Sequence, residues 1–345
     1  MRRNLIYHIR SFSLAVSVLM TLPAFASSAP EADPGPAASP APPAPKASAG
    51  SKVKFGDFNH WVTRHIKESG VIGGHEKTVY AIGPDRVIEG NKPYRNAGGS
   101  PWATSNVMAK VAGVVKTSNA VYPAVRSGND RCARLATQME SIKVLGLVNM
   151  DVMVAGSMFL GEMLEPIKST SNPYSKMDMG VTFSGRPQAL VFDYKVDMPP
   201  VNTRTKSTGF SAKKTLPGHD EAVTFVMLQR RWEDEDGNLH ARRVGSAGEL
   251  YTRSTPWQNG HRLPIVYGDA SSLLSSHPYL KLRSTKDTAY YARNSKGKMV
   301  PVIEEGWDSA DASPTHAIVM FSAGSGEPYI GTEGLTLYID NVAFD

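Results

Sequence analysis

The stretch Ala189–Val196, A-L-V-F-D-Y-K-V, decides the fold class. Leu190, Phe192, Tyr194 and Val196 share one face, and Asp193 and Lys195 point the other way. Side chains of an extended chain alternate between faces, so this pattern predicts a half-buried β-strand with its apolar side on a core. Four further segments are β-branched or aromatic runs bounded by turn residues: Val144–Val154, Ala222–Trp232, His316–Ser322 and Leu335–Phe344. Between Trp232 and Leu239 the run Asp234–Asn238, D-E-D-G-N, carries an Asp-Gly pair, the mark of a tight hairpin. One short helix is expected over Ser157–Leu164, stopped by Pro166. Many strands, frequent Gly, Pro, Asn and Ser, and little helix predict an all-β, jelly-roll-like β-sandwich.

This body is expected to occupy residues 51–345 as a single domain, and two segments precede it. Residues 1–26 read as a cleavable export signal: Arg2, Arg3 and Arg10, a short apolar run, then Ala24-Phe25-Ala26. The apolar run is shorter than the roughly 20 residues a membrane span needs. Residues 27–50 are rich in Pro and Ala and hold no large apolar residue, so they read as an unfolded, extended linker. The expected location is therefore outside the cytoplasm: periplasmic, cell-surface associated or extracellular. No Cys follows the apolar run, so a lipoprotein anchor is not expected. The whole chain carries +6; without the three signal arginines that becomes +3. No basic run alternates with exposed aromatics, which argues against a nucleic-acid partner. The single cysteine, Cys132, permits no internal disulfide and reads as a buried, inert small hydrophobe.

Several catalytic signatures are missing. His75-Glu76 has no second His four residues on, and neither G-x-S-x-G nor a P-loop occurs. Gly324-Ser325-Gly326 lacks the third glycine of a dinucleotide loop, and Ser211–Lys214 matches only the short S-x-x-K pattern. Asp234, Asp236 and Asn238 have calcium-loop spacing, but Leu239 stands where such a loop needs Gly, so a hairpin tip is the better reading. Glycoside hydrolysis needs two carboxyl groups facing each other across the scissile bond. Asp193, Glu249, Asp269, Glu304 and Glu305 are available, but spacing in sequence does not pair them.

Aromatics in punctuated loops carry more information. Trp257 lies in S-T-P-W-Q-N-G, Trp102 in G-G-S-P-W-A-T-S-N, Trp307 in E-E-G-W-D-S, and Tyr267 precedes Gly268-Asp269. The C–H face of a sugar packs on an aromatic ring while its hydroxyls seek polar side chains. Trp257 with Gln258, Asn259 and Arg262 offers that mixture; Trp102, Trp307 and Tyr267 follow. The alternative for each is a cap on the end of a sandwich core. Trp61 and Trp232 are expected in the core.

Read in order, P-W-A-T-S-N (101–106), R-C-A-R-L-A-T (131–137), A-L-V-F-D-Y-K-V (189–196), L-Q-R-R-W-E-D-E-D-G-N (228–238), N-S-K-G-K (294–298), S-P-T-H (313–316) and L-Y-I-D-N-V (337–342) resemble one family. It is the putative carbohydrate metabolism domain found in exported proteins of glycan-using bacteria, and the resemblance spans nearly all of Phe55–Phe344. It implies a sandwich similar to carbohydrate-binding modules and a setting in polysaccharide use, with a glycan as ligand and proteins of such a system as further partners. It carries over no catalytic residue. Many relatives are lipoproteins, from which this chain departs. The resemblance also points to a structural calcium where the first and last strands meet, at Asp340 with Asp57 or Asn59; otherwise Asp340 caps a turn or pairs with a core arginine such as Arg134. No other cofactor is expected. Three functions follow: non-catalytic glycan binding, glycoside hydrolysis or related carbohydrate chemistry, and a structural or adhesive surface role.

Overall fold

A computed structural model describes residues 51–69, 75–111, 113–144, 148–168, 173–208, 212–325 and 329–345. The expected export signal and linker lie outside the described residues, as do Ser211 and Gly326. The described chain is built of strands, with short 3₁₀ turns such as Ser271–Leu273 and Pro278–Leu280 and no α-helix. No helix among the described residues is long and apolar enough to cross a membrane.

The framework strands are β1 (Val121–Ser127), β2 (Asp130–Val144), β3 (Val148–Ala155), β4 (Ser157–Met163), β5 (Met177–Met179), β6 (Ala189–Asp197), β7 (Ala222–Glu233), β8 (Leu239–Tyr251), β9 (Thr255–Pro264), β10 (Tyr290–Arg293), β11 (Met299–Trp307), β12 (His316–Ser322) and β13 (Thr336–Phe344). The first sheet runs β3-β2-β13-β6-β9, and β1 also pairs with β2. The second runs β12-β7-β8-β11-β10-β5-β4, and β4 pairs back onto β12, closing the pairings into a ring.

The two sheets are packed face to face. Leu190, Phe192, Tyr194 and Val196 of β6 are buried in one cluster with Leu337 and Ile339 of β13, Val226 and Leu228 of β7, and Val319 and Phe321 of β12. The period-2 alternation of Ala189–Val196 thus sets the core face of the first sheet. The opposite side chains of β7 and β12, including Val223, Phe225, Met227, Ile318 and Met320, fill a second core with Phe159, Met179, Tyr279 and Tyr290. The second sheet is therefore apolar on both faces, one toward the sandwich and one toward the inside of its own ring.

That double burial corrects the expected helix. Ser157–Met163 is strand β4, pairing with β12, with β5 and with the strand Trp102–Thr104. Met158 and Leu160 face the sandwich core and Phe159 the ring core. A strand buried on both faces shows no apolar–polar alternation, and so mimics a buried helix. The run Val144–Val154 is likewise two strands: Val144 pairs with Val148 across a reversal, and residues 145–147 lie outside the described chain. The hairpin at Asp234–Asn238 is present, with the Asp234 N–H donating to the Asn238 carbonyl at 3.0 Å and Gly237 at φ +86°.

A smaller sheet of Trp61–Glu68, His75–Ile82 and Arg86–Glu89 packs beside β1. Arg64, buried, ties it to Glu165 through Nη1 at 2.9 Å and Nη2 at 2.5 Å. Trp61 is in the core as expected, donating its indole N–H to the Phe58 carbonyl. Trp232 is not: it is 37% exposed on the hairpin and stacks on His240. Its strand continues past the last residue that β12 covers, so no second layer buries the ring.

Candidate functional site

The outer face of the first sheet, away from the sandwich core, carries a built cluster of rings and charges. Strand register puts Tyr122 of β1 opposite Arg134 of β2, Arg134 opposite Tyr338 of β13, and Tyr338 opposite Lys195 of β6. These four side chains form one row across four strands, all half-buried. Beyond Lys195 the pairing of β6 with β9 shifts register twice, between Phe192 and Tyr194 and between Tyr194 and Val196. Such bulges re-aim side chains. Trp257 then packs on Tyr338, ring centroids 6.2 Å apart and planes at 59°. Cations flank the rings: Arg126 stands 4.4 Å from the Trp257 ring, Lys195 5.0 Å from Tyr338, and Arg134 5.5 Å from Tyr122.

Arg126 is fixed from below. Its Nη1 donates to Asp193 at 2.7 Å and to Asp340, and its Nη2 donates to the Asn259 side-chain oxygen at 2.6 Å. Asp193 and Asp340 are directly opposed across β6 and β13. Their environments differ. Burial works against the charge of Asp193, but hydrogen bonds from Asn341, the Gly260 N–H and Arg126 outweigh it and hold the carboxyl low. Burial dominates at Asp340 and pushes it up to about 6, despite hydrogen bonds from Arg126 and the Asn341 N–H. Arg126 thus joins the two acids and stands over the Trp257 ring.

Of the residues named from sequence, Trp257 and Asn259 meet at Arg126. Gln258 donates to the Pro256 carbonyl of its own strand, and Arg262 pairs with Asp345. Trp102 drops out: it is 1% exposed, packed on Phe58 and Phe321, with its indole N–H on the Lys54 carbonyl. A ring in the sandwich core cannot stack on a sugar. Trp307 lies on β11 of the other sheet, near Arg243, and Tyr267 pairs elsewhere, its hydroxyl on the Pro187 carbonyl and Arg186 over its ring. Sequence reasoning missed Tyr338, Lys195, Arg134, Tyr122 and Arg126. One signal was readable: Tyr338 alternates with Leu337 and Ile339, which places an aromatic on a strand's solvent face.

Two of the residues named for a calcium, Asp340 and Asn59, have protein partners here. Asp340 is committed to Arg126, not to Arg134. Asn59 is bound to Asp130 and to the Arg131 N–H, and Asp57 is exposed. Calcium takes six to eight oxygens, yet the Asp340 carboxylate meets a guanidinium. No group of three or more His, Cys, Asp or Glu gathers among the described residues.

The remaining candidate acids each have a partner of their own. Glu304, fully buried, takes both Nε and Nη2 of Arg243. Glu305 lies 2.8 Å from His240, Glu249 2.6 Å from His261, and Asp269 accepts the Ser271 N–H. Cys132 is buried, which pushes its thiol up to about 12 and keeps it unreactive at neutral pH.

Comparison with known proteins gives one family. The model of the putative carbohydrate metabolism domain matches residues 75–258, more than half of the chain. No curated protein matches. Among solved structures, one described as a putative glycoside hydrolase from Bacteroides thetaiotaomicron VPI-5482 aligns at 17% identity, over 78% of this chain and 74% of that one, with a TM-score of 0.43.

Proposed function

Because this chain belongs to the putative carbohydrate metabolism domain family, we propose that it is an exported, non-catalytic glycan-binding module of a bacterial polysaccharide-using system. The observation that carries the reading is the Trp257–Tyr338 pair on the solvent face of the first sheet, beside Arg126, Lys195 and Asn259. The rings offer apolar surface to the C–H face of a pyranose. Arg126 is held by the buried Asp193 and Asp340 and in turn holds the Asn259 amide, so ordering these two on binding costs little. A hydrogen bond nets about 0.5–1.5 kcal/mol. A few such bonds with one or two stacked rings amount to roughly micromolar to millimolar affinity, which suits a module that keeps a partner enzyme on a polymer.

A second reading has its own observation. Asp193 and Asp340 face each other with one carboxyl held low and the other raised to about 6, an acid–base pattern used in glycoside hydrolysis. Their burial beneath Arg126 argues for the structural role. A glycan array on the purified protein, followed by a reducing-end assay on each polysaccharide bound, separates the two. Binding without release of reducing ends is expected. Release that Asp340→Asn abolishes would replace the binding reading with the hydrolytic one.

A further inference from the structure

A cleft of about 620 Å³ opens between the small sheet and β1, within the usual range for ligand sites. Tyr80, Thr63, Arg86, Val87, Val125 and Arg131 are among its lining. Two sheet edges face it: among the described residues, Arg86–Glu89 pairs only with Trp61–Glu68, and β1 only with β2. Val87 and Val125, 60% and 74% exposed, supply apolar walls.

Cations outnumber acids in this cleft, where Asp85 lines the wall beside Arg86 and Arg131. Arg86 and Arg131 are exposed, and neither enters an ion pair among the described residues. The acids of these walls each face a histidine. Asp85 accepts the Trp61 N–H at 3.0 Å and faces His60 Nδ1 at 2.6 Å, and Glu89 lies 3.0 Å from His65 Nδ1. On the other side of the same edge strand, a hollow of about 470 Å³ shares Arg86 and adds Lys92 and Arg95, both exposed. The two hollows together carry four cations, Arg86, Arg131, Lys92 and Arg95, against two carboxylates, Asp85 and Glu89, and so hold an excess of positive charge.

The cleft is also continuous with the platform. The Tyr80 ring is 6.3 Å from that of Tyr122, which ends the row Lys195–Tyr338–Arg134–Tyr122. From β9 to β1 the row crosses four strand spacings, roughly 19 Å, room for several sugar rings.

We propose that this cleft binds the anionic groups, uronate carboxylates or sulfate esters, of the same glycan chain that crosses the Trp257–Tyr338 platform. The inference rests on the glycan-binding reading and narrows the ligand to an acidic linear polysaccharide. Arg86 and Arg131 take the anions by charge-assisted hydrogen bonds, and Tyr80 and the two valines meet the ring faces. An acidic peptide added to an open edge would share the charge preference. Pro123 counts against it: within β1 it removes a backbone donor from the free edge.

The test is calorimetric titration of the purified full-length protein with hexagalacturonate, a sulfated carrageenan hexasaccharide, neutral xylohexaose and poly-glutamate. At low salt one acidic hexasaccharide should bind at least about tenfold more tightly than xylohexaose, and the advantage should collapse near 1 M salt, where exposed charges are screened. Which acid wins tells carboxylate from sulfate. Arg86→Gln with Arg131→Gln should erase that advantage at an unchanged thermal midpoint. Equal affinity for neutral and acidic sugars, an undiminished advantage in the double variant, or equal binding of poly-glutamate overturns the proposal. Trp257→Ala keeps the two readings apart. If it weakens all sugars while the arginine pair has no effect, the platform stands and the anionic cleft falls. If only the arginines matter, the cleft stands and the platform falls.

Discussion

At the scale of single residues, burial separates tryptophans that look alike in sequence. Trp102 and Trp257 both follow a proline in a polar, punctuated stretch, yet one is walled in by Phe58 and Phe321 and the other lies on the solvent face. Trp102→Ala should therefore destabilise the protein by about 3–5 kcal/mol, measured by denaturant unfolding; a loss under about 1 kcal/mol would show that the core does not depend on it. Local composition could not tell the two apart, because what differs is which sheet face the chain delivers the ring to. Asp220 makes a pH-dependent case. It is buried, its Oδ2 has no hydrogen-bond partner among the described residues, and burial pushes the carboxyl up to about 6. A carboxyl raised in the folded state binds more protons there than in the unfolded chain. Its penalty is then absent below the unfolded value near 4 and complete above about 6. Asp220→Asn should raise the thermal midpoint at pH 8, by the equivalent of up to about 3 kcal/mol, and leave it nearly unchanged at pH 4. An equal shift at both pH values would contradict this.

At the scale of elements, legibility followed the number of faces a strand buries. β6 has one apolar and one polar face, and its alternation Leu190, Phe192, Tyr194, Val196 was readable; β7, β12 and β13 were readable as apolar runs. β4 buries Met158, Phe159 and Leu160 on two sides and imitated a helix. The ring of the second sheet was not legible at all, because β4 pairing with both β5 and β12 is a long-range event with no local mark. Gly161 makes that double pairing feasible. It sits at φ +149°, and a Cβ there would stand 2.2 Å from the Asp178 carbonyl oxygen of β5. Gly161→Ala should cost about 3 kcal/mol and loosen the β4–β5 pairing, visible as faster amide exchange in both strands. Unchanged exchange would mean that the close approach is not needed.

At the scale of the molecule, a sandwich with one face on its core leaves the opposite face of the first sheet free to be furnished. That face is furnished with Tyr122, Arg134, Tyr338, Lys195 and Trp257 in sequence across the strands, with Arg126 locked over two buried acids. The family was open to sequence reading, and Trp257 could be named as a candidate; the row was not, since its members come from five strands and meet only through register. The direct test of the glycan-binding account is calorimetric titration of an array-identified oligosaccharide into the wild-type protein and Trp257→Ala, with thermal midpoints measured in parallel. The account predicts micromolar to millimolar binding by the wild type, a loss of at least about tenfold in the variant, and midpoints within a few degrees of each other. Undiminished binding by Trp257→Ala, or binding lost only because the variant unfolds, would contradict it.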